Sequence, residues 1–157
     1  MRYVAISDTH GNREKLRDLL SDIGECDAVI HLGDGENELS FIRRTINADV
    51  IAVKGNNDYF SRDLPLFRTL TVANVGIYCC HGHMLGVRDS RVRLAEESGR
   101  NGCAIALYGH THISSDETIK GIRCLNPGSV GYPYNDFGYI ELSDAGGSLS
   151  VRFIRYV

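Results

Sequence analysis

The chain has 157 residues, 43% of them apolar and 24% charged, with a formal net charge of −3, the composition of one ordinary globular domain with a core of its own. A negative balance argues against a broad nucleic-acid-binding surface, which is usually basic. No run of residues approaches the ~18 consecutive apolar positions of a membrane span.

Taken in chain order, Met1-Arg2-Tyr3-Val4-Ala5-Ile6-Ser7-Asp8 enters a strand at once and lacks the layout of a signal peptide, so a cytoplasmic location is expected. Arg2 to Ser7 reads as the first strand and Asp8-Thr9-His10-Gly11-Asn12 as the loop at its C-terminal end. Asn12 is a candidate N-cap for a helix to about Ile23, whose apolar stripe is Leu16, Leu19, Leu20 and Ile23, with Gly24 as C-cap. Asp27 to Leu32 is the second strand, followed by Gly33-Asp34-Gly35, and a second helix is predicted over Asn37 to Thr45. The third strand, Asp49 to Lys54, runs into Gly55-Asn56-Asn57-Asp58. This β-α-β-α-β order, with a polar loop after each strand, predicts a parallel sheet whose ligands gather at the carboxyl ends of its strands.

Beyond Leu64-Pro65 the pattern changes to a hairpin, Phe67 to Val72 and Gly76 to Cys80, joined through Ala73-Asn74-Val75 and ending in His81-Gly82-His83. A polar helix over Ser90 to Ser98 leads to the apolar run Cys103 to Leu107 and then to Tyr108-Gly109-His110-Thr111-His112. Short strands are predicted at Ser114 to Ile119, Ile122 to Leu125, Tyr139 to Leu142 and Ser148 to Arg155. Nothing reads as a linker or repeat, so residues 1–157 are taken as one domain. The expected fold class is α/β: a four-layer α-β-β-α sandwich of two mixed sheets flanked by helices.

The polar residues at the strand ends, Asp8, His10, Asp34, Asn56, His81, His110 and His112, are all metal-ligand types. If the segments are extended, the i, i+2 pairs Asp8/His10 and His110/His112 each project to one side. Other features have plainer readings. The five cysteines, odd in number and without C-x-x-C spacing, read as buried free thiols. His31 reads as a satisfied core histidine, His83 as a structural neighbour rather than a ligand, and Arg88, Arg91 and Arg93 as a solvated helix face. Tyr132-Pro133-Tyr134 is either an aromatic wall or packing.

In their order, Ser7-Asp8-Thr9-His10-Gly11, Gly33-Asp34, Gly55-Asn56, His81-Gly82-His83, Gly109-His110-Thr111-His112 and Asn126-Pro127-Gly128-Ser129 make the chain resemble a calcineurin-like metallophosphoesterase of the small, single-domain, YfcE-like phosphodiesterase group. The resemblance implies two divalent ions, Mn²⁺ first, with Fe, Zn²⁺ or Ni²⁺ as alternatives. One would be held by Asp8, His10, Asp34 and His112, the other by Asp34, Asn56, His81 and His110, with Asp34 bridging. Such a pair can activate a water as hydroxide for attack on phosphorus. Implied catalytic residues are Asp34, Asn56, Asn57 and His81; implied substrate contacts are Asn12, Asn57 and His83. The implied substrate is a small phosphoester or nucleotide, with no long nucleic acid and no membrane; homo-oligomerisation is left open. Many relatives place a histidine after the ligand asparagine as proton donor, whereas here Asn57 stands there. The alternatives are a phosphomonoesterase, or a non-catalytic scaffold like the retromer subunit that resembles the family.

Overall fold

Side-chain alternation in the first strand decides the layering. In β1 (Arg2–Ile6), Val4 and Ile6 pack with the helix residues Leu16, Leu19, Leu20, Ile23 and Ile42, while Ala5 faces the opposite way and joins Ile77, Cys79, Leu107 and Leu125. Successive strand residues point to opposite faces, so one strand separates two cores. The computed structural model describes residues 1–134 and 136–156. The other elements are α1 (Arg13–Ile23), β2 (Ala28–His31), α2 (Leu39–Thr45), β3 (Asp49–Ala52), β4 (Phe67–Val72), β5 (Val75–Cys80), α3 (Val92–Arg100), β6 (Ile105–Leu107), β7 (Ser115–Ile119), β8 (Ile122–Asn126), β9 (Phe137–Ala145) and β10 (Ser148–Tyr156).

Two five-stranded sheets result, in the orders β10-β9-β1-β2-β3 and β4-β5-β6-β8-β7. The first contains the expected parallel trio, β1 pairing β2 and β2 pairing β3, with the antiparallel β9–β10 hairpin added beside β1. The second is also mixed: β5, β6 and β8 are parallel, and β4 and β7 close its edges antiparallel. A third core, Tyr78, Cys80, Leu94, Ala95, Ala106, Tyr108 and Cys124, lies between this sheet and α3. The architecture is therefore the four-layer α-β-β-α sandwich, with the inter-sheet core in the middle.

Asn12 caps α1 as expected, its side chain accepting from Lys15 N at 3.2 Å, and Gly24 ends the helix with φ 65°. Other boundaries move. The predicted second helix opens as a 3₁₀ turn, Glu36–Glu38, before α2. The β4–β5 turn is the two-residue Ala73-Asn74, both at positive φ, so β5 begins at Val75; this is the primed turn that matches hairpin twist. β9 has nine residues rather than the four predicted, because it pairs along its whole length with β10. α3 begins at Val92, which leaves only Arg93 of the three predicted arginines on a helix. Four of the cysteines are buried and Cys26 is partly exposed; all five are free. Burial raises every one of their thiol pKa values. Among the described residues, no helix is long and apolar enough to cross a membrane.

Candidate metal centre

Strands β1, β2, β3, β5 and β6 all deliver their C-terminal loops to one place. The loops are tied to one another by backbone: Asp8 N donates to Gly33 O at 3.1 Å, His10 N to Asp34 O at 3.1 Å and Gly109 N to His81 O at 3.1 Å. Such close contact requires glycine. A Cβ on Gly33 would lie 2.6 Å from His81 Nδ1, one on Gly109 would lie 2.6 Å from Asp8 Oδ2, and one on Gly55 would collide with the Asp34 carboxylate.

The ligand loops are not extended. Among the described residues, eight non-glycine positions have positive φ; Ala73, Asn74 and Lys120 are in hairpin turns, and the other five are Asp8, His10, Asp34, His110 and His112. Asp and His tolerate this region better than most residues. Even so, it costs about 1–3 kcal/mol per residue and persists only where surroundings over-determine it. The i, i+2 geometry inferred for an extended segment is therefore wrong. Thr111 N donates to Gly109 O at 2.8 Å, a tight turn that aims His110 and His112 separately.

What converges is a set of acceptors. Asp8 is fully buried, and its Oδ2 accepts from Ser7 Oγ at 2.5 Å and His110 N at 3.1 Å. Its Oδ1 is buried without a hydrogen-bond partner, although Nε2 of His112, His10 and His81 stand 3.2, 3.5 and 3.8 Å away. Asp34 Oδ2 lies 3.4 Å from His81 Nε2 and 3.7 Å from His10 Nε2. His81 Nδ1 faces Leu32 O at 2.7 Å, so it must carry the proton. When the ring is neutral, as a metal ligand must be, its Nε2 lone pair points at Asn56 Oδ1, 2.9 Å away. Acceptors crowded together in a buried site need a cation between them, a proton or a metal ion. These residues fit divalent metal, with mixed N and O donors and no thiolate.

Two groups of donor atoms meet at Asp8: Asp8 with His10 and His112, and Asp8 with Asp34 and His81. His110 lies outside both groups, with its ring 5.1 Å from that of His81. Asp8 is the shared member of these two groups, and Asp34, the bridge that the resemblance implies, has its Oδ2 3.7 Å from His10 Nε2 and 3.4 Å from His81 Nε2.

Charges follow from this crowding. Burial raises the pKa of Asp8, but contacts with His10 and His112 and the charge of His81 outweigh it and hold the carboxyl far below its ordinary value. Burial likewise opposes ionisation of Asp34, yet His81 and the Asn57 donors bring it to about 2. His10 is raised first by its contact with the Asp8 carboxylate. For His81, burial lowers the value, and the Asp34 and Asp8 carboxylates more than compensate. His110 falls to about 4 through burial and the charges of His81 and Arg88.

Asn57 is not aimed at open space. Its N and Nδ2 donate to Asp34 Oδ1 and Oδ2, each at 2.8 Å, so it orients a ligand carboxylate. Asn12 is occupied as the α1 cap. His83 Nδ1 is buried without a partner, beside the His81 ring at 5.4 Å. His31 is a satisfied core histidine: Nδ1 accepts from Gly33 N at 3.2 Å and Nε2 meets Thr9 Oγ1 at 3.1 Å. Tyr132 of the aromatic segment packs tilted against His10, ring centres 5.5 Å apart, and Tyr134 N donates to His112 O at 3.3 Å.

Two supports, Asp58 and Glu38, were missed from sequence. Asp58, 2% exposed, accepts four backbone N–H groups: Asp34 and Gly55 on Oδ2, Gly35 and Glu36 on Oδ1, at 2.7–3.0 Å. Glu38, also buried, accepts from Thr9 Oγ1 at 2.7 Å and Gly11 N at 3.2 Å. Asn126 donates to Gly109 O at 2.9 Å, and Ser129 Oγ to Asp8 O at 2.8 Å, which gives the Asn-Pro-Gly-Ser loop its purpose. The only available signal was an acidic residue next to a ligand loop.

The calcineurin-like phosphoesterase superfamily domain profile matches residues 1–143. A probable metallophosphoesterase of Bacillus subtilis, YsnB, is 32% identical over 134 residues, covering 85% of this chain and 77% of that one. Among solved structures, a novel archaeal phosphodiesterase superposes with TM-score 0.75 at 21% identity, over 98% of this chain and all of the other. Vps29 of Entamoeba histolytica, in complex with Zn²⁺, superposes with TM-score 0.71 at 23% identity, over 99% and 98%. At such identities these two structures speak to the fold alone.

Proposed function

This chain belongs to the calcineurin-like phosphoesterase superfamily, and from that membership we propose that it is a phosphodiesterase working with two divalent ions on a small phosphoester or nucleotide. The observation that carries the proposal is Asp8 Oδ1, a buried carboxylate oxygen with no hydrogen-bond partner that is ringed by three imidazole Nε2 atoms. Asp8, His10, Asp34 and His112 would hold one ion, and Asp34, Asn56, His81 and His110 the other. Bound there, the ions supply positive charge for phosphoryl oxygens and lower the pKa of water; Mn²⁺ is the proposed metal.

The chain's own residues set the terms of the reaction. Two ligand carboxylates against two divalent ions leave the centre positive, suited to a phosphate anion. Asn57 holds Asp34 through both of its donors and, as an amide, has no proton to give to a leaving group. General acid catalysis is worth about 10²–10⁴-fold. The enzyme therefore favours esters whose leaving groups depart without protonation. Equal rates on alkyl and p-nitrophenyl diesters would overturn this point.

The fold also serves proteins whose names carry no activity, Vps29 among them, so a scaffold is the second reading. Measurement of bis(p-nitrophenyl) phosphate hydrolysis across a metal series separates the two. Activity with Mn²⁺, lost on chelation and nearly abolished in Asp34→Asn, is expected, with two ions bound per chain. A folded protein that binds metal and hydrolyses no aryl diester is a scaffold.

A further inference from the structure

Beside His112 the surface opens into a cleft of about 500 Å³ that shares this ligand with the metal centre. Its polar lining is almost wholly matched. Arg91 Nε donates to Glu117 Oε1 at 2.6 Å and its Nη1 to Val87 O at 3.3 Å, and Tyr108 OH meets Ser115 Oγ at 2.9 Å. Arg88 is the exception. It lines the same cleft and, among the described residues, has no carboxylate partner. Its backbone is fixed, because Val87 before it is fully buried and Ser90 N donates to Gly86 O at 3.2 Å. The same cleft is lined by Ile113 and Tyr134, 46% and 75% exposed, which offer it apolar surface.

An unpaired cation in a cleft that opens onto a phosphate-binding centre has one obvious counter-charge. Resting on the phosphodiesterase reading, we propose that the Arg88 cleft receives a second anionic group of the substrate. The substrate class is then a diester that carries a further phosphate one sugar away from the scissile phosphorus, as in a nucleotide phosphorylated at both ends. The guanidinium fork suits a phosphate bidentately, and the Tyr134 and Ile113 surfaces accept the sugar and base between the two anions. Arg88 is a specificity residue here, and Arg91, already paired to Glu117, is not.

The test compares two substrates with the same leaving group: the p-nitrophenyl ester of thymidine 5′-phosphate, and the same ester bearing a 3′-phosphate. The read-out is the ratio of their kcat/KM values in Mn²⁺. In the wild-type protein the ratio is expected to favour the 3′-phosphorylated ester tenfold or more, and Arg88→Gln should bring it to near one. Arg93→Gln, on α3, and Lys54→Gln, beside Asn56 in a different groove, should keep the wild-type ratio. No preference in the wild type, an unchanged ratio in Arg88→Gln, or collapse in Lys54→Gln instead would each overturn the proposal. Hydrolysis of neither ester, nor of bis(p-nitrophenyl) phosphate, would remove the phosphodiesterase reading and this proposal with it; hydrolysis without discrimination removes this proposal alone.

Discussion

Asp58→Asn should destabilise the metal-free protein by several kcal/mol without changing the shape of a single side chain. The Asp58 carboxylate joins two loops by accepting Asp34 N and Gly55 N on one oxygen and Gly35 N and Glu36 N on the other, at 2.7–3.0 Å. An amide keeps one oxygen and turns an NH₂ towards the remaining two N–H groups. The better orientation retains the buried Asp34 and Gly55 donors. It leaves Gly35 N stranded and Glu36 N, which is only partly buried, to find water. A stranded buried donor costs about 1–3 kcal/mol; with the loss of charge-assisted bonding to the pair that remains, about 2–4 kcal/mol is expected. For a domain of this size that is a fall in melting temperature of at least about 4 °C. Urea titration in excess chelator reads the effect without metal linkage, and Mn²⁺ affinity should drop as well, since Asp34 and Asn56 sit on the two loops that are joined. A loss below about 1 kcal/mol would refute the assignment of Asp58 as the tie between them.

Gly109→Ala places a methyl 2.6 Å from Asp8 Oδ2. It should cost about 1–3 kcal/mol through overpacking and weaken metal binding in calorimetry; wild-type affinity would contradict the close approach. In chelator, His10 and His81, with pKa values raised from 6.5, contribute stability that is present below pH 6.5 and lost as pH rises through their folded values. Asp8 and Asp34, depressed from 3.8, contribute stability above that pH which is lost as pH falls through their folded values. In chelator, His10→Gln should therefore lower the melting temperature more at pH 5.5 than at pH 8, and in the unmodified protein the gain from added Mn²⁺ should grow over the same range; a penalty larger at pH 8 would refute the sign. A disulfide reagent at pH 8 should modify Cys26 slowly and the four buried thiols only after unfolding; rapid modification of Cys79 or Cys80 would show that the second sheet opens.

The scaffold was legible because its strands are short apolar runs that end in polar, glycine-containing loops, and periodicity alone locates those ends. The ligand types were legible for the same reason: Asp8, Asp34, His81 and His112 follow their strands within a few residues. The backbone beneath them was not. Nothing local announces positive φ at Asp8 or His110, since the conformation is enforced by contacts with loops distant in sequence. Asp58 and Glu38 were invisible as supports because an isolated acidic residue usually lies on the surface, and their partners are N–H groups that every residue has. β9 was read short because its last residues, Ser143-Asp144-Ala145, are polar or small and gain their order from β10, not from the core.

The pairing of β1 with β9 joins residues near the two extremes of the sequence, Arg2 with Ser143 among them. Until β9 is made and placed, β1 is an unprotected edge, and the backbone carbonyl of Asp8 lacks the Ser129 hydroxyl and Gly131 amide that hold it. Non-local closure of this kind slows folding and delays the most constrained ligand until the end. A growing chain would thus lack the full support of Asp8 until Ser129 and β9 had emerged, which couples metal loading to the closing of the first sheet.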